Sequence, residues 1–109
     1  MNALTPAAER LISRHIDSVG ALDLLLLLHQ GRQRSHSVDE ICKALRCPQA
    51  WAEDQLSQLE RIELVTAVGD DRYRYRRGRR HGTAVDQIAR AVRHDRASVT
   101  RLVFARAPR

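Results

Sequence analysis

The stretch from Ser37 to Arg77 constrains the fold of this chain of 109 residues more than any other feature. It opens with Ser-Val-Asp-Glu, a pattern that starts a helix because the serine hydroxyl accepts from the backbone of Glu40 while the glutamate reaches back. The spacing of apolar residues then predicts one helix over 37–46 and a second over 48–62, with a tight turn between them.

A basic hairpin follows these two helices. Its strands are predicted at 64–68 and 72–77 around a Gly-Asp-Asp turn. Alternation along the second strand puts arginines on one face and two tyrosines on the other. Clustered arginines favour contact with a polyanion, and the alternative is a solvated face with inward-packing tyrosines. The candidate phosphate-contacting residues of the hairpin and its neighbouring loops are Arg32, Arg34, Arg72, Arg74, Arg76, Arg77, Arg79 and Arg80.

Capping signals predict three further helices. Thr5 followed by Pro6 starts the first, since threonine is a good cap and proline fits the first helical position. A second helix is predicted over 18–30, where five consecutive leucines cover every side and indicate burial at the centre of the fold. The Thr-Ala-Val-Asp sequence at Thr83 is predicted to cap a last helix that runs almost to the end of the chain.

Length and composition fit one folded domain. A chain of 109 residues can bury a single core, and its hydrophobic share of 43% argues against disorder. The predicted organisation is a single domain over 1–109, made of an N-terminal helix (1–17), a central unit (18–77) and a C-terminal helix (83–106). The predicted fold class is mainly α with a small β-hairpin.

The net charge of +6 is unevenly distributed along the chain. Residues 37–63 carry −3, whereas 64–82 and 83–109 carry +4 each. Eighteen of the 19 basic residues are arginine, which suggests a GC-rich bacterial genome. Because positive charge also serves solubility, the clustering of the arginines, and not the total, favours a nucleic-acid partner.

This order of elements resembles the winged helix-turn-helix regulators of the MarR, ArsR and PadR kind over about residues 18–77. Leu45 matches the leucine that ends the first motif helix, and Leu64 and Val65 match the strand after the second. Glu63 stands where many relatives carry glycine. A residue other than glycine can serve at this position if the helix ends there without a left-handed turn. The inner positions of the second helix, the recognition helix of that family, match at Ala52, Leu56 and Leu59.

The resemblance implies a winged helix-turn-helix flanked by N- and C-terminal helices, in a DNA-binding transcriptional regulator without a separate effector domain. Its partner would be double-stranded DNA, with the recognition helix facing the bases and the hairpin, or wing, facing the phosphates. The positions expected to face the bases are Gln49, Trp51, Gln55 and Gln58.

The acidity of the recognition helix favours a second interpretation. Residues 48–63 sum to −3, whereas helices that read DNA favour hydrogen-bond donors on their outer face. The alternative function is therefore a winged-helix interaction module that docks a regulatory or polymerase partner through Trp51, Glu53 and Asp54. A lone tryptophan more often covers a seam between helices, so both roles of Trp51 stay open.

The last helix carries apolar residues at heptad-like spacing. Three heptads with one polar position would form a short two-stranded coiled coil, and the alternative is an amphipathic helix folded back on its own domain. Winged-helix regulators frequently dimerise through such terminal helices, which favours a homodimer. The candidate dimer-interface residues are Val85, Ile88, Val92, Asp95, Val99 and Leu102.

Other site types find little support in the sequence. Cys42, Cys47 and the scattered histidines lack the spacing of a zinc site, and no phosphate loop or catalytic constellation is present. We therefore expect no metal, no cofactor and no enzymatic activity. The Leu24–Leu28 run is far too short to span a membrane, and the N-terminus lacks the pattern of a signal peptide. These features predict a cytoplasmic protein with no membrane partner.

Overall fold

A computed structural model describes residues 4–106 as a mainly helical fold with a small three-stranded antiparallel sheet. The predicted domain also includes residues 1–3 and 107–109, which lie outside the described residues. The sheet has the strand order β1-β3-β2. The elements in chain order are α1 (Pro6–His15), α2 (Val19–Gln30), β1 (Ser35–Ser37), α3 (Val38–Leu45), α4 (Gln49–Arg61), β2 (Val65–Ala67), β3 (Arg72–Tyr75) and α5 (Gly82–Arg106).

Three predicted helix starts are confirmed by their capping bonds. The Thr5 hydroxyl accepts from the backbone N–H of Ala8, and Pro6 is the first residue of α1. The Ser18 hydroxyl accepts from the third residue of its helix in the same way. At the start of α3, Ser37 and Glu40 form both bonds of the capping box, at 3.0 and 3.2 Å. Each cap satisfies backbone donors that have no partner inside the helix.

The leucine run of α2 lies at the centre of the core, as its all-round apolar character predicted. Leu24, Leu25 and Leu28 are completely buried, whereas Leu26 and Leu27 are half-buried on the side that faces a groove. Helices α1 and α5 pack against each other, and α5 also packs on α2. None of the helices in the described range is both long and apolar enough to cross a membrane.

Strand β1 is an element that the sequence did not predict. It pairs with β3 in antiparallel register, with His36 opposite Tyr73, and so adds a third strand to the expected hairpin. The strand predicted over 72–77 is shorter, because β3 ends at Tyr75. The backbone N–H of Arg76 nevertheless donates to the carbonyl of Leu64 at 2.8 Å, which extends the pairing by one bond.

Helix α4 ends in a left-handed turn at Glu63. Glu63 has φ of 64°, and the N–H of Leu64 donates to the carbonyl of Leu59 at 2.9 Å. This six-to-one bond is the mark of a Schellman motif, which normally has glycine at the left-handed position. The condition under which Glu63 would fit here without strain, a helix that ends without a left-handed turn, is therefore not met.

Helix α5 begins at Gly82, one residue earlier than predicted, and is interrupted at Asp95. Asp95 has φ of −156° and ψ of 78°, outside the helical region, and its carboxylate accepts from the backbone N–H of Ser98 at 3.2 Å. It thus acts as a cap for the second half of the helix. Of the two alternatives that the sequence left open, the continuous coiled-coil seam is disfavoured, since the helix breaks at its one polar position.

Helix α5 is folded back on its own domain on both sides of the break at Asp95. Val85 and Ile88 are completely buried and Val99 is 2% exposed, so these three predicted dimer residues belong to the core of the monomer. Val92 is half-buried, and Leu102 is exposed. The inward stripe that suggested a coiled coil is therefore largely satisfied by contact with α1 and α2.

Candidate nucleic-acid interface

The turn between α2 and β1 is fixed by a buried histidine. His36 is 2% exposed, and its Nε2 lies 3.0 Å from the carbonyl oxygen of Gly31. A Cβ atom on Gly31 would lie 2.6 Å from the His36 ring, so only glycine allows this close approach. The packing fixes β1 beside β3 and thereby sets the position of the arginines on the neighbouring loop and strand.

Arg72 joins the sheet to the start of α3. Its guanidinium donates to the hydroxyl of Ser35 at 3.0 Å and to the carbonyl of the same residue at 3.3 Å, and it lies 3.4 Å from Glu40. Arg34 pairs with the same carboxylate at 3.1 Å. Glu40 therefore faces two of the arginines that the sequence assigned to phosphate.

Glu40 is held in its ionised form. The hydrogen bond from Arg34, followed by the backbone N–H of Ser37, lowers the pKa of Glu40 from 4.5 to about 2. A carboxylate that stays charged at neutral pH partly neutralises the positive field of Arg34 and Arg72. These two residues are built into the fold and have less charge to offer a polyanion than the sequence suggested.

Arg77 is bound in a second ionic cluster. Its Nε donates to Oδ2 of Asp86 at 3.1 Å, and the same guanidinium donates to the Thr83 hydroxyl at 3.2 Å. The other oxygen of Asp86 lies 3.0 Å from Nε2 of His29. Thr83 and Asp86 were predicted as a helix cap, but their side chains instead anchor the segment after β3 to α2 and α5.

Tyr75 packs beside this second cluster. The side chain is 6% exposed, its ring meets the ring of His29 edge-on with centroids 5.4 Å apart, and its hydroxyl has no hydrogen-bond partner among the described residues. Burial, followed by the charge of Asp86, raises the pKa of Tyr75 to about 12. Tyr73 is half-buried against the core. The tyrosines thus pack inwards, as the alternation in the strand predicted.

The remaining arginines of the predicted set keep their charge available. Arg32 donates to the carbonyl of His29 at 3.0 Å, and Arg74 lies 3.5 Å from the carbonyl of Arg32, so neither is paired with a carboxylate. Within residues 4–106 no ion pair is formed by three further arginines of the set, all of them exposed, namely Arg76, Arg79 and Arg80.

The outer face of α4 carries both amides and carboxylates. Gln49, Glu53 and Gln58 are exposed, and the Gln58 amide donates to the exposed carboxylate of Asp54 at 2.9 Å. Gln55 was predicted to face the bases, and this prediction was wrong, since the residue is only 8% exposed. It lies three residues after Ala52 and four before Leu59, which puts it on the buried stripe.

Trp51 is half-buried and covers the start of α2. A Cβ atom on Gly20 would lie 3.2 Å from the indole ring, so the ring lies directly over the glycine backbone. The tryptophan therefore packs across the seam between α4 and α2 and leaves part of its surface exposed. Trp51 thus has the structural role of covering a seam between helices, and the exposed part of its ring is accessible to a partner.

Cys42 and Cys47 lie near each other at the end of α3. Both are half-buried, and burial, followed by the neighbouring Cys42 thiol, raises the pKa of Cys47, which keeps it protonated. No group of three or more histidine, cysteine or acidic side chains within residues 4–106 is arranged to hold a metal ion.

A second group of basic residues was missed by the sequence analysis. Arg10, Arg14 and His15 of α1 lie around the same cavity as Arg80 and His81. The spacing of Arg10 and Arg14 indicated only one face of a helix, and nothing local to the sequence connects that face to residues 80–81. Arg80 therefore lines this cavity, although the sequence analysis grouped it with the arginines of the hairpin.

Compared with known proteins, the chain matches no family model, no curated protein and no solved structure. Its function is therefore inferred from the geometry and charge of its own residues.

Proposed function

We propose that this chain is a winged helix-turn-helix protein that binds double-stranded DNA as a bacterial, cytoplasmic transcription regulator. The observation that carries the proposal is the succession helix, strand, helix, helix, strand, strand from α2 to β3, with β1 pairing to β3 at the edge of the sheet. This is the order of a winged helix, in which α3 and α4 form the helix-turn-helix and β2 with β3 forms the wing.

Unpaired positive charge on and after the wing supports contact with phosphate. Arg74 and Arg76 are exposed at the end of β3, and Arg79 is exposed in the following link. Because no carboxylate of residues 4–106 binds them, their charge can replace the counterions of a DNA backbone. The proposed contact set is smaller than the sequence suggested, since Arg34, Arg72 and Arg77 are held by Glu40 and Asp86.

On α4, the proposed base-facing residues are Gln49 and Gln58. Their exposed amides can both donate to and accept from base edges in a major groove. The hydrogen bond from Gln58 to Asp54 keeps this carboxylate partly satisfied at the protein surface. Glu53 and Asp54 weaken the approach to phosphate, so most of the affinity would come from the wing.

The proposal is tested by fluorescence-anisotropy titration of random-sequence duplex DNA at low and physiological salt. Replacing Arg74 and Arg76 by alanine removes two phosphate contacts, which should weaken binding to all sequences and reduce the salt slope by about 2. The matched control is Arg90→Ala with Arg93→Ala, which removes the same charge from the exposed side of α5. Equal losses in both double variants, or no binding at low salt, would contradict the proposed wing contact.

The acidic face of α4 favours a second candidate function, docking of a protein partner. Glu53 and Asp54 are exposed beside the partly exposed Trp51, a combination suited to a basic partner surface. Replacing both carboxylates by amides separates the two functions. DNA affinity should hold or rise if α4 approaches phosphates, whereas a protein complex formed through this face should weaken.

We also propose that the protein forms a homodimer through the end of α5. Leu102 is 37% exposed and Phe104 is 65% exposed, on the outer side of the segment after Asp95, whose inner side at Val99 and Val103 is buried in the core. Exposed apolar side chains grouped in this way are typical of a surface that another chain covers.

A further inference from the structure

A basic cavity lies on the side of α1, at the start of α5. It has a volume of about 510 Å³, which is within the usual range for a small-molecule site. The apolar part of its wall is formed by the exposed Ala7 of α1 and the half-buried Ile62 after α4, with Leu11 and Ala84 buried behind them. The remaining lining is almost entirely basic.

The charged residues around this cavity all have the same sign. Arg10 and Arg14 line it from α1, and Arg80 lines it from the link before α5. No acidic residue is part of the lining, and within the described range none of the three arginines forms an ion pair. Three unpaired guanidinium groups around one concave space repel each other, and a bound anion would relieve that repulsion.

Two further features favour an anion in the same space. Ala84 belongs to the first turn of α5, so the positive end of the helix dipole lies at the wall of the cavity. The rings of His15 and His81 meet edge-on with centroids 5.5 Å apart. Burial lowers the pKa of His81 most, and the neighbouring His15 and Arg80 lower it further; a bound anion would offset the effect of these two neighbours.

We propose that this cavity binds a phosphate monoester of a small organic molecule, with the phosphate held by Arg10, Arg14 and Arg80 and the organic part against Ala7 and Ile62. A guanidinium donates two parallel hydrogen bonds to phosphate oxygens, so three of them select this group over a carboxylate of single charge. The organic part of a phosphate monoester would also cover the apolar wall of the cavity, which inorganic phosphate leaves exposed to water. This ligand site is independent of the proposed wing contact with DNA.

The test is a calorimetric titration of the full chain with adenosine 5′-monophosphate, inorganic phosphate and adenosine as probes. We expect the monophosphate to bind more tightly than inorganic phosphate, and adenosine not to bind. Replacing Arg10 and Arg14 together by glutamine should weaken monophosphate binding about tenfold, as expected for lost charge-assisted bonds. Arg90→Gln, an exposed residue outside the cavity lining, is the matched control and should leave binding unchanged.

NMR titration of the histidine rings locates the bound probe. Monophosphate should shift the signals of His15 and His81 and raise the pKa of His81, with little change at His94. No binding at millimolar monophosphate, or an equal loss in the Arg90→Gln variant, would overturn the proposal. An equal loss of duplex DNA affinity in the Arg10→Gln, Arg14→Gln variant would overturn it as well, because the cavity would then be part of a DNA surface.

Discussion

Oδ1 of Asp86 in α5 lies 3.0 Å from Nε2 of His29 in α2. The other oxygen of this carboxylate accepts from Arg77 at 3.1 Å, so one side chain connects three segments of the fold. Burial alone would raise the pKa of Asp86, but the bonds from His29 and Arg77 outweigh it, and the pKa lies below its ordinary value of 3.8. The wing is thereby attached to the core at the point where the chain leaves it.

Replacing Asp86 by asparagine should lower the free energy of unfolding by about 1–2 kcal/mol at pH 7, since two charge-assisted bonds are lost at a partly exposed site. Because the pKa of Asp86 is lower in the folded state, the wild-type carboxylate stabilises the fold above pH 3.8 and loses this effect as the pH falls further. The difference between variant and wild type, measured by urea unfolding, should therefore shrink in acid. Asp39→Asn, at an exposed surface pair, should change little, and a difference independent of pH would contradict the role given to Asp86.

The left-handed residue at the end of α4 gives a stabilising substitution. Glu63 has φ of 64°, a conformation that costs a side-chain-bearing residue about 1 kcal/mol and glycine almost nothing. Glu63→Gly should therefore raise the free energy of unfolding by up to about 1 kcal/mol. Glu60→Gly, a change of the same kind inside the helix, should lower it by about 1 kcal/mol. Both variants are measured by thermal unfolding. If both are destabilised, the contacts of the Glu63 side chain stabilise the fold by more than its backbone strain destabilises it.

Tyr75 offers a test of the buried cluster beside Asp86. Its hydroxyl is buried without a partner among the described residues, and an unsatisfied polar group destabilises a core. Tyr75→Phe keeps the edge-on contact with His29 and should be neutral or raise the free energy of unfolding by up to about 1 kcal/mol. The half-buried Tyr73, changed to phenylalanine, is the matched control and should have no effect. A clear loss of stability in Tyr75→Phe would mean that the hydroxyl makes a hydrogen bond to a group such as an ordered water molecule.

Local signals in the sequence predicted the starts of α1, α2 and α3 correctly, because a cap such as the Ser37–Glu40 box forms between residues three apart. Strand β1 has no such signal. Three residues of Ser-His-Ser become a strand only by pairing with β3, which is remote in the sequence. The same limit applies to the arginines, since sequence spacing does not reveal that Glu40 faces Arg72 or that Asp86 faces Arg77. Counting charges therefore located the basic wing but overstated how many of its arginines are free.

The burial of Gln55 distinguishes this core position from the exposed Gln58, which is proposed to face DNA. Gln55→Met keeps a flexible side chain of similar length on the inner stripe, so it should leave DNA affinity unchanged and stability equal or higher. Gln58→Ala, at an exposed position of the same helix, should reduce discrimination between DNA sequences by about 1 kcal/mol or more. The DNA affinities of both variants are measured by fluorescence anisotropy, once with a duplex selected for tight binding to the wild-type protein and once with random-sequence DNA. A loss of affinity in Gln55→Met without loss of stability would return this residue to the interface.

The homodimer proposed for the end of α5 depends on Phe104, which is 65% exposed in the single chain. If a second copy covers this side chain, Phe104→Ser removes at least about 1.5 kcal/mol of stabilisation by apolar burial from each subunit. The dissociation constant of the dimer should then rise about a hundredfold. Sedimentation velocity over a micromolar concentration series would show this as a shift from dimer to monomer. Val68→Ser removes another exposed apolar residue, 45% exposed on the wing, and should leave the dimer intact. A wild-type chain that stays monomeric throughout the series would contradict dimerisation, and an equal effect of both variants would move the interface away from α5.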